Sequence, residues 1–502
     1  MSRIRKLASE TAVYGISSVL GRAVNFLLFP FHTQVFAPEI LAPIGLVYTA
    51  FVFLNILYQY GMESAYLKFA SVAEDRRPVF SSSMWSLLIS ATLFSTALWF
   101  FQDAAGPVIG LGPDMTHLLG FAAAILVLDT AAVVPYAELR LSNRAGYFAF
   151  VRVTSALVNV AGNVILILGA GLGIEAVLIA NVASSATGLL LLTGVVRRNL
   201  QLAFDRSLWR KLLRFGLPFL PGGLGYAVSE RVNIFFLENM PAERVLDLYA
   251  SDMPAETLAA VQAGQAEAAS FVVGVYTGMI KLGVLAALGV QMFRYAWQPF
   301  FLNHARDEDA PDLFARVFLL LTAGLFAVVL GVSLFAQELV AIPIPGGGTL
   351  IDSAFWLGLI IVPPALIGYA FQGWYYHFAA GAYIEKRTGL FVRCTLIGSV
   401  VALAVNTWAV PQFGMLGAVW ATTSAYATMA MALWLYLRPH YPVPYPWARA
   451  LTLVAGCLAA LVIWNRNPGL QVWWAELGLL GAYGLLALVT LRPLTRRVTE
   501  TS

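Results

Sequence analysis

Several cations stand where a long apolar chain should have none. Arg22, Arg231 and Lys281 lie within hydrophobic runs, and Arg152 and Arg393 open two others. A Lys or Arg can neutralise a phosphate, and Arg can grip it through two parallel hydrogen bonds. Ser18, Arg22, Asn25, Phe29 and His32 recur at helical spacing, so a single helix face carries them together. Acids at comparable depth are fewer: Glu63, Asp129, Glu138 and Glu230. The pattern predicts a weakly cationic recess for an anionic ligand. Its candidate binding residues are Arg22, Asn25, Arg231, Lys281, Arg152 and Arg393. Glu63, Asp129 and Glu230 are the candidate carriers of a coupled ion or proton.

Each of these residues also has a structural reading. Arg152 and Arg393 start close enough to the ends of their runs to snorkel. Arg22 is too deep for that, about eleven residues or ~16 Å of helix rise into a core of ~30 Å, and Lys281 is placed similarly. An ion pair of Arg22 with Glu63 or Asp129 is the main rival to ligand binding. Adjacent residues on a helix do not face each other, so no simple pair is expected between Glu230 and Arg231. His32 and His377 read as interfacial, and Asn163 and Asn406 as hydrogen-bonders between helices. Cys394 and Cys457 sit far apart in apolar runs and form neither a disulfide framework nor a metal spacing. There is no Gly-x-x-x-x-Gly-Lys-Ser/Thr loop, no Gly-x-Ser-x-Gly and no His-Glu-x-x-His. Neither an enzyme, a cofactor nor a nucleic-acid partner is predicted.

The elements that must position these residues are membrane spans. The 502 residues are 59% hydrophobic and only 12% charged, about half the charge of a soluble domain. Runs long enough to cross a bilayer recur at roughly 11–36, 41–62, 82–101, 116–139, 147–170, 174–195, 212–237, 270–292, 313–335, 350–376, 390–410, 414–437, 448–465 and 473–491. We refer to these as spans one to fourteen. With the N-terminus inside, the even-numbered connections fall in the cytoplasm and hold the basic residues, as the positive-inside rule requires. The densest group follows span six: Arg197, Arg198, Arg206, Arg210, Lys211 and Arg214. Of the 31 Lys and Arg, only Arg244 and Arg466 fall in odd-numbered connections. The basic start, Met1 to Lys6, leads into span one with no small-residue cleavage site, so span one is expected to stay in place. The connection Asn239–Ser270 is acidic, and its Glu256–Ala269 stretch is expected to form a short outer helix.

The halves repeat. Gly45-Leu-Val-Tyr-Thr in span two returns as Gly274-Val-Tyr-Thr in span eight, and Phe150-Val-Arg-Val-Thr as Phe391-Val-Arg-Cys-Thr. The offset of about 228 to 242 residues covers six spans, so the halves share one orientation, as in transporters built from parallel repeats. The predicted divisions are an N-lobe at 1–196, a cytoplasmic linker at 197–211, a C-lobe at 212–440 with the insertion 239–270, and 441–502 for spans thirteen, fourteen and the tail. Pro218-Phe-Leu-Pro-Gly-Gly in span seven and Pro363-Pro364 in span ten should bend or break those helices.

At this point the chain resembles the polysaccharide flippases, the Wzx-like branch of the MATE-like superfamily, over residues 7–437. The likeness rests on Ala8-Ser-Glu-Thr-Ala-Val-Tyr-Gly, Gly45-Leu-Val-Tyr through Tyr60-Gly-Met-Glu, Gly216-Leu-Pro, Lys281-Leu-Gly and Gln291-Met-Phe-Arg-Tyr-Ala-Trp-Gln-Pro-Phe. The resemblance implies an all-α polytopic membrane protein of about fourteen spans, two six-helix lobes around a cationic cavity and two extra C-terminal helices. It further implies alternating access that carries an undecaprenyl-diphosphate-linked oligosaccharide across a bacterial inner membrane, for O-antigen lipopolysaccharide or exopolysaccharide. Membrane lipid, a polysaccharide polymerase and chain-length proteins are the implied partners. Two departures stand out: the insertion Asn239–Ser270, where such proteins have a short connection, and Glu230-Arg231 where they commonly have Asp-Arg. A peptidoglycan-precursor flippase and an ion-coupled multidrug exporter share the fold and remain alternatives.

Overall fold

The computed structural model describes Phe26 and residues 28–264, 267–345 and 347–499, with backbone alone from 493. Among the described residues the chain is helical throughout, and an isolated bridge between Pro343 and Thr349 stands in place of any strand. Eleven helices are long and apolar enough to cross a membrane, and they match eleven of the fourteen expected spans. The other three have identifiable reasons. Span twelve is a 23-residue helix, Met415–Leu437, whose Thr422, Thr423, Ser424 and Tyr426 dilute its hydropathy. Span seven is the helix Leu220–Glu238, which carries Glu230 and Arg231. Span one is described only at its end, as Leu28–Val35.

The chain divides into two compact units. The first holds the residues up to Ala227 with Glu238–Ala242 and Ala255–Gly274. The second holds Val228–Leu237, Glu243–Pro254 and Val275 onward.

In the first unit, span two is a helix, Pro38–Gln59, that stops at an elbow. Tyr60 and Gly61 both take positive φ, 32° and 72°, and a new helix, Met62–Ala70, leaves in another direction. Gly61 is needed here twice over. Its φ is one that L side chains avoid, and a Cβ on it would lie 2.3 Å from the carbonyl oxygen of Gly216. Beneath this crossing Met62, Tyr66, Phe80, Leu87, Val134 and Leu212 form a buried core.

The basic segment after span six contains the helix Arg206–Gly216, with the charged residues on one side and buried Leu212 on the other. Such a helix lies in the membrane interface rather than across it. It starts at Asp205, whose carboxylate accepts from the backbone N–H groups of Ser207 at 2.8 Å and Leu208 at 3.0 Å. Those bonds, the one from Leu208 foremost, hold the Asp205 carboxyl below its ordinary range. A depressed carboxyl stabilises the helix start above the unfolded value of about 4 and loses that contribution as pH falls through the folded value. Asp205→Ala is therefore expected to speed amide exchange across 206–216 at neutral pH, read by hydrogen-exchange mass spectrometry, while peptides from the spans keep their protection. Unchanged exchange at 206–216 would show that the cap does not hold the helix.

The helix breakers behave in two ways. Around Pro218 the chain turns through a 3₁₀ segment, Leu217–Phe219, as expected. Pro363 and Pro364 do not break a helix interior. They occupy the first turn of Val362–Ile384, after the 3₁₀ segment Ser353–Ile361, where a proline costs no hydrogen bond. The Thr423 hydroxyl donates to the Pro364 carbonyl at 2.7 Å. Span eight, by contrast, has a break the sequence did not announce. Ala268–Met279 and Val284–His304 are joined by the 3₁₀ turn Ile280–Gly283.

The acidic insertion is ordered in both its parts. Ala255–Gln262 is the expected helix, shorter than predicted. A further helix, Ala242–Tyr249, precedes it. In the second unit Arg244 donates to the carbonyls of Pro411 at 2.7 Å and Gln412 at 3.3 Å. The Tyr249 hydroxyl accepts from the Met415 N–H at 2.8 Å, its ring packed where a Cβ on Gly414 would stand. In the first unit Thr257 donates to Glu39 at 3.2 Å. Cys394 and Cys457 are free and buried.

Candidate functional site

The break in span eight carries Lys281. Its 3₁₀ turn buries Leu282 and Gly283 and leaves the lysine side chain exposed at the middle of a crossing. Arg231, on span seven in the same unit, lies within electrostatic reach of it. Tyr276, Tyr369 and Tyr426 and the Glu230 carboxylate face Arg231. Tyr276 is buried and accepts a hydrogen bond from Asn233, which also donates to Thr422 at 3.2 Å and to the Ala418 carbonyl at 3.3 Å. The Arg231 Nε–H is buried with no hydrogen-bond partner. Two cations against one carboxylate leave this cluster with a net positive charge. An unsatisfied guanidinium N–H, a second cation and nearby tyrosines suit an anion with several acceptor oxygens.

Glu230 and Arg231 correct one expectation. Their charged ends come within 3.6 Å, although helix geometry sends neighbouring side chains apart. The arginine is long enough to curl back, and the distance is that of an ion pair rather than a hydrogen bond.

The first unit holds a second polar group. Asp129 is hydrogen-bonded to Ser185 and feels the charge of Arg152. The Arg152 guanidinium lies 4.0 Å over the Tyr136 ring, a cation–π contact. Tyr48, the repeat counterpart of Tyr276, accepts from Asn181 at 3.1 Å. Each unit thus has a repeat-related tyrosine held by an asparagine near a half-buried charge.

The remaining candidates are scattered. Glu63 is ion-paired with Arg140, so Arg140, not Arg22, is its described partner. Nearby Glu138 accepts from Tyr66 and pairs with Arg76 at 3.5 Å. Arg393 is exposed on span eleven, apart from Arg231 and Lys281 in its described contacts. Arg22 and Asn25 lie outside the described residues. Asn163 bonds across helices, to His32 at 2.8 Å, but Asn406 donates to Ala402 of its own helix, and its Oδ1 has no partner. Both histidines are buried among protein side chains. His32 is buried on Asn163, and His377 is buried with its ring 4.6 Å from that of Trp297.

Sequence reasoning left one feature unassigned. A recess of about 200 Å³ in the second unit is lined by Arg294, Trp297, Gln298, Tyr375, Tyr376 and Tyr383 among others. Arg294 stacks 4.8 Å over Tyr376. The signal was present in Gln291–Phe300, with its Arg, Trp and Gln at helical spacing, but nothing in that run shows the tyrosines opposite. Ring faces beside a guanidinium and an amide offer stacking and hydrogen bonds to a sugar. Among the described residues no group of His, Cys, Asp and Glu is placed to hold a metal.

Comparison with known proteins places this geometry. The family described as polysaccharide biosynthesis protein matches residues 37–266. No curated protein matches by sequence. Among solved structures, the lipid II flippase MurJ in its inward closed conformation has a TM-score of 0.70 at 12% identity, covering 97% of this chain and 100% of its own. An inward-facing multidrug resistance MATE family transporter of the MOP superfamily has a TM-score of 0.61 at 16% identity, covering 83% of this chain and 94% of its own. A MOP superfamily transporter from Pyrococcus furiosus, described as having a binding pocket of reverse polarity, has a TM-score of 0.56 at 15% identity, covering 86% and 95%. The fold is that of the MATE-like flippases and transporters, and the resemblance read from the sequence holds.

Proposed function

We propose that this multi-pass MATE-like transporter flips an undecaprenyl-diphosphate-linked oligosaccharide from the cytoplasmic to the outer leaflet of a bacterial inner membrane, for assembly of a surface polysaccharide. The observation that carries the reading is the cationic pair Arg231 and Lys281, set at a helix break among tyrosine hydroxyls. A multidrug exporter for cations would need the opposite sign. In this reading the diphosphate is held by Arg231 and Lys281, with Arg22, Arg152 and Arg393 as further cations and Asn25 as a neutral hydrogen-bond donor. The recess around Arg294 and Tyr376 offers the first sugars a stacking surface. The cycle is alternating access, both termini staying in the cytoplasm. Asp129, Glu230 and Glu63 are the candidate ion carriers, and Asp129 has the strongest claim because Glu63 is already committed to Arg140. A polymerase and chain-length proteins would take the product onward.

Deleting the gene tests the reading. Surface polysaccharide should disappear and its lipid-linked intermediate should accumulate on the cytoplasmic face, both reversed by the wild-type gene. Lysis with accumulated cell-wall precursor would reassign the same diphosphate chemistry to peptidoglycan. Normal glycan with altered drug resistance would overturn the proposal in favour of an exporter.

A further inference from the structure

The first unit contains a large apolar groove apart from the polar group around Asp129 and Arg152. It encloses about 850 Å³, at the upper end of ordinary ligand pockets of roughly 300–1,000 Å³. Three elements build it: Leu57 from span two, Ile89 and Leu93 from span three, and Trp209, Leu213 and Leu217 from the interfacial helix and the turn after it. Its lining along span three runs from Ser86 to Phe101, about 22 Å of helix rise, long enough for an extended acyl chain. The polar groups in the wall are already satisfied by one another. Tyr60 and Ser86 are hydrogen-bonded at 2.7 Å, Trp209 donates to Ser86 at 2.8 Å, and Ser90 donates to Tyr60 at 3.3 Å. A wall with no hydrogen-bonding demand of its own is complementary to hydrocarbon.

The helix that supplies Trp209 and Leu213 to the groove is charged along the adjoining edge. Arg206 and Arg210 flank Trp209, and Arg206, Trp209, Arg210, Leu213 and Leu217 follow one another at helical spacing along one edge. Both guanidiniums are exposed, and among the described residues neither has an acidic partner. Juxtamembrane arginines of this kind attract anionic headgroups, and a guanidinium matches a phosphate in shape as well as charge. We propose that the groove is a binding site for one anionic phospholipid. Its phosphate lies against Arg206 and Arg210, and an acyl chain lies along span three. The lipid would pin the interfacial helix onto spans two and three, completing a unit that otherwise leaves Ile89, Leu93 and Trp209 facing an open trough.

The test uses the purified full-length protein in detergent, titrated separately with phosphatidylglycerol, phosphatidylcholine and undecaprenyl phosphate and read by native mass spectrometry. Phosphatidylglycerol should appear as a single retained adduct, roughly tenfold tighter than phosphatidylcholine. The double variant Arg206→Gln/Arg210→Gln should bring the two phospholipids to near equality. Ala97→Trp, which fills the groove from an exposed position on span three, should abolish the adduct at an unchanged thermal midpoint. Leu93→Trp, also exposed, repeats the block one turn away, so a folding defect in one variant does not decide the result. Equal binding of both phospholipids by the wild type would overturn the proposal, as would an adduct that survives both tryptophan variants. Displacement of phosphatidylglycerol by equimolar undecaprenyl phosphate would overturn it too, and would make the groove a seat for a polyprenyl tail.

Discussion

On the proposed function, Arg231→Ala and Lys281→Ala should each remove most surface polysaccharide from cells that still make and insert the protein. A charge-assisted hydrogen bond contributes about 1.5–3 kcal/mol, so losing one cation should lower the flipping rate roughly ten- to a hundredfold. The two variants should differ in what rescues them. Arg231→Lys keeps the charge but not the forked geometry, and Arg231 is ion-paired with Glu230 and within electrostatic reach of Tyr276, Tyr369 and Tyr426. It should recover only part of the activity. Lys281→Arg should recover more, because an exposed side chain on a 3₁₀ turn has room for the larger head. Surface glycan on gels, normalised to membrane-inserted protein, reads all four. Full export by Arg231→Ala and Lys281→Ala together would exclude the pair from the substrate path.

The second large effect is on folding. At Gly274 a Cβ would lie 1.8 Å from the carbonyl oxygen of Pro38, and at Gly61 it would lie 2.3 Å from that of Gly216. Backbone cannot retreat as a flexible side chain can, and interiors are too tightly packed to absorb the shift elsewhere. Gly61→Ala adds the cost of positive φ, so the two terms together should destabilise the first unit by about 2–4 kcal/mol. Gly274→Ala should be worse and should yield little folded protein. Gly194, inside the helix Glu175–Asn199 with nothing near its Cβ position, supplies the contrast. Gly194→Ala should be neutral or slightly stabilising, since alanine is the better helix former. Fluorescence-detected size exclusion after a heating series would rank the three, and equal midpoints would refute the close-packing argument.

Much of the fold was legible because a bilayer imposes one length and one charge rule on every element. Span lengths and the sidedness of Lys and Arg depend only on local sequence, and so does the amphipathic character of Arg206–Gly216. The repeat likewise anticipated the paired tyrosines, Tyr48 and Tyr276. What stayed hidden was set by packing between distant segments. No periodicity reveals that Glu63 meets Arg140, 77 residues away, or that Tyr249 of an apparent surface insertion closes over Gly414. The elbow at Tyr60 was missed because a non-glycine residue with positive φ carries no composition signal, although the following Gly61 was in view. The 3₁₀ turn that carries Lys281 has no signal in the sequence, since Ile-Lys-Leu-Gly contains no proline to announce a break. The ion pair of Glu230 with Arg231 is hidden because Cβ directions send neighbouring side chains apart, a rule that a long side chain can evade.

The two buried cysteines have a practical consequence. Cys394 and Cys457 are sealed among apolar neighbours, so a charged, membrane-impermeant maleimide should leave the native protein unlabelled. Any cysteine introduced into a loop then becomes a sole reporter without prior removal of the natural thiols. Placed at Ser251 in the acidic insertion and at Ser142 after span four, such reporters would reveal which face of the membrane each loop occupies in intact cells. Placed along the trough from Ile89 to Ala97, they would sense whether water or hydrocarbon fills it.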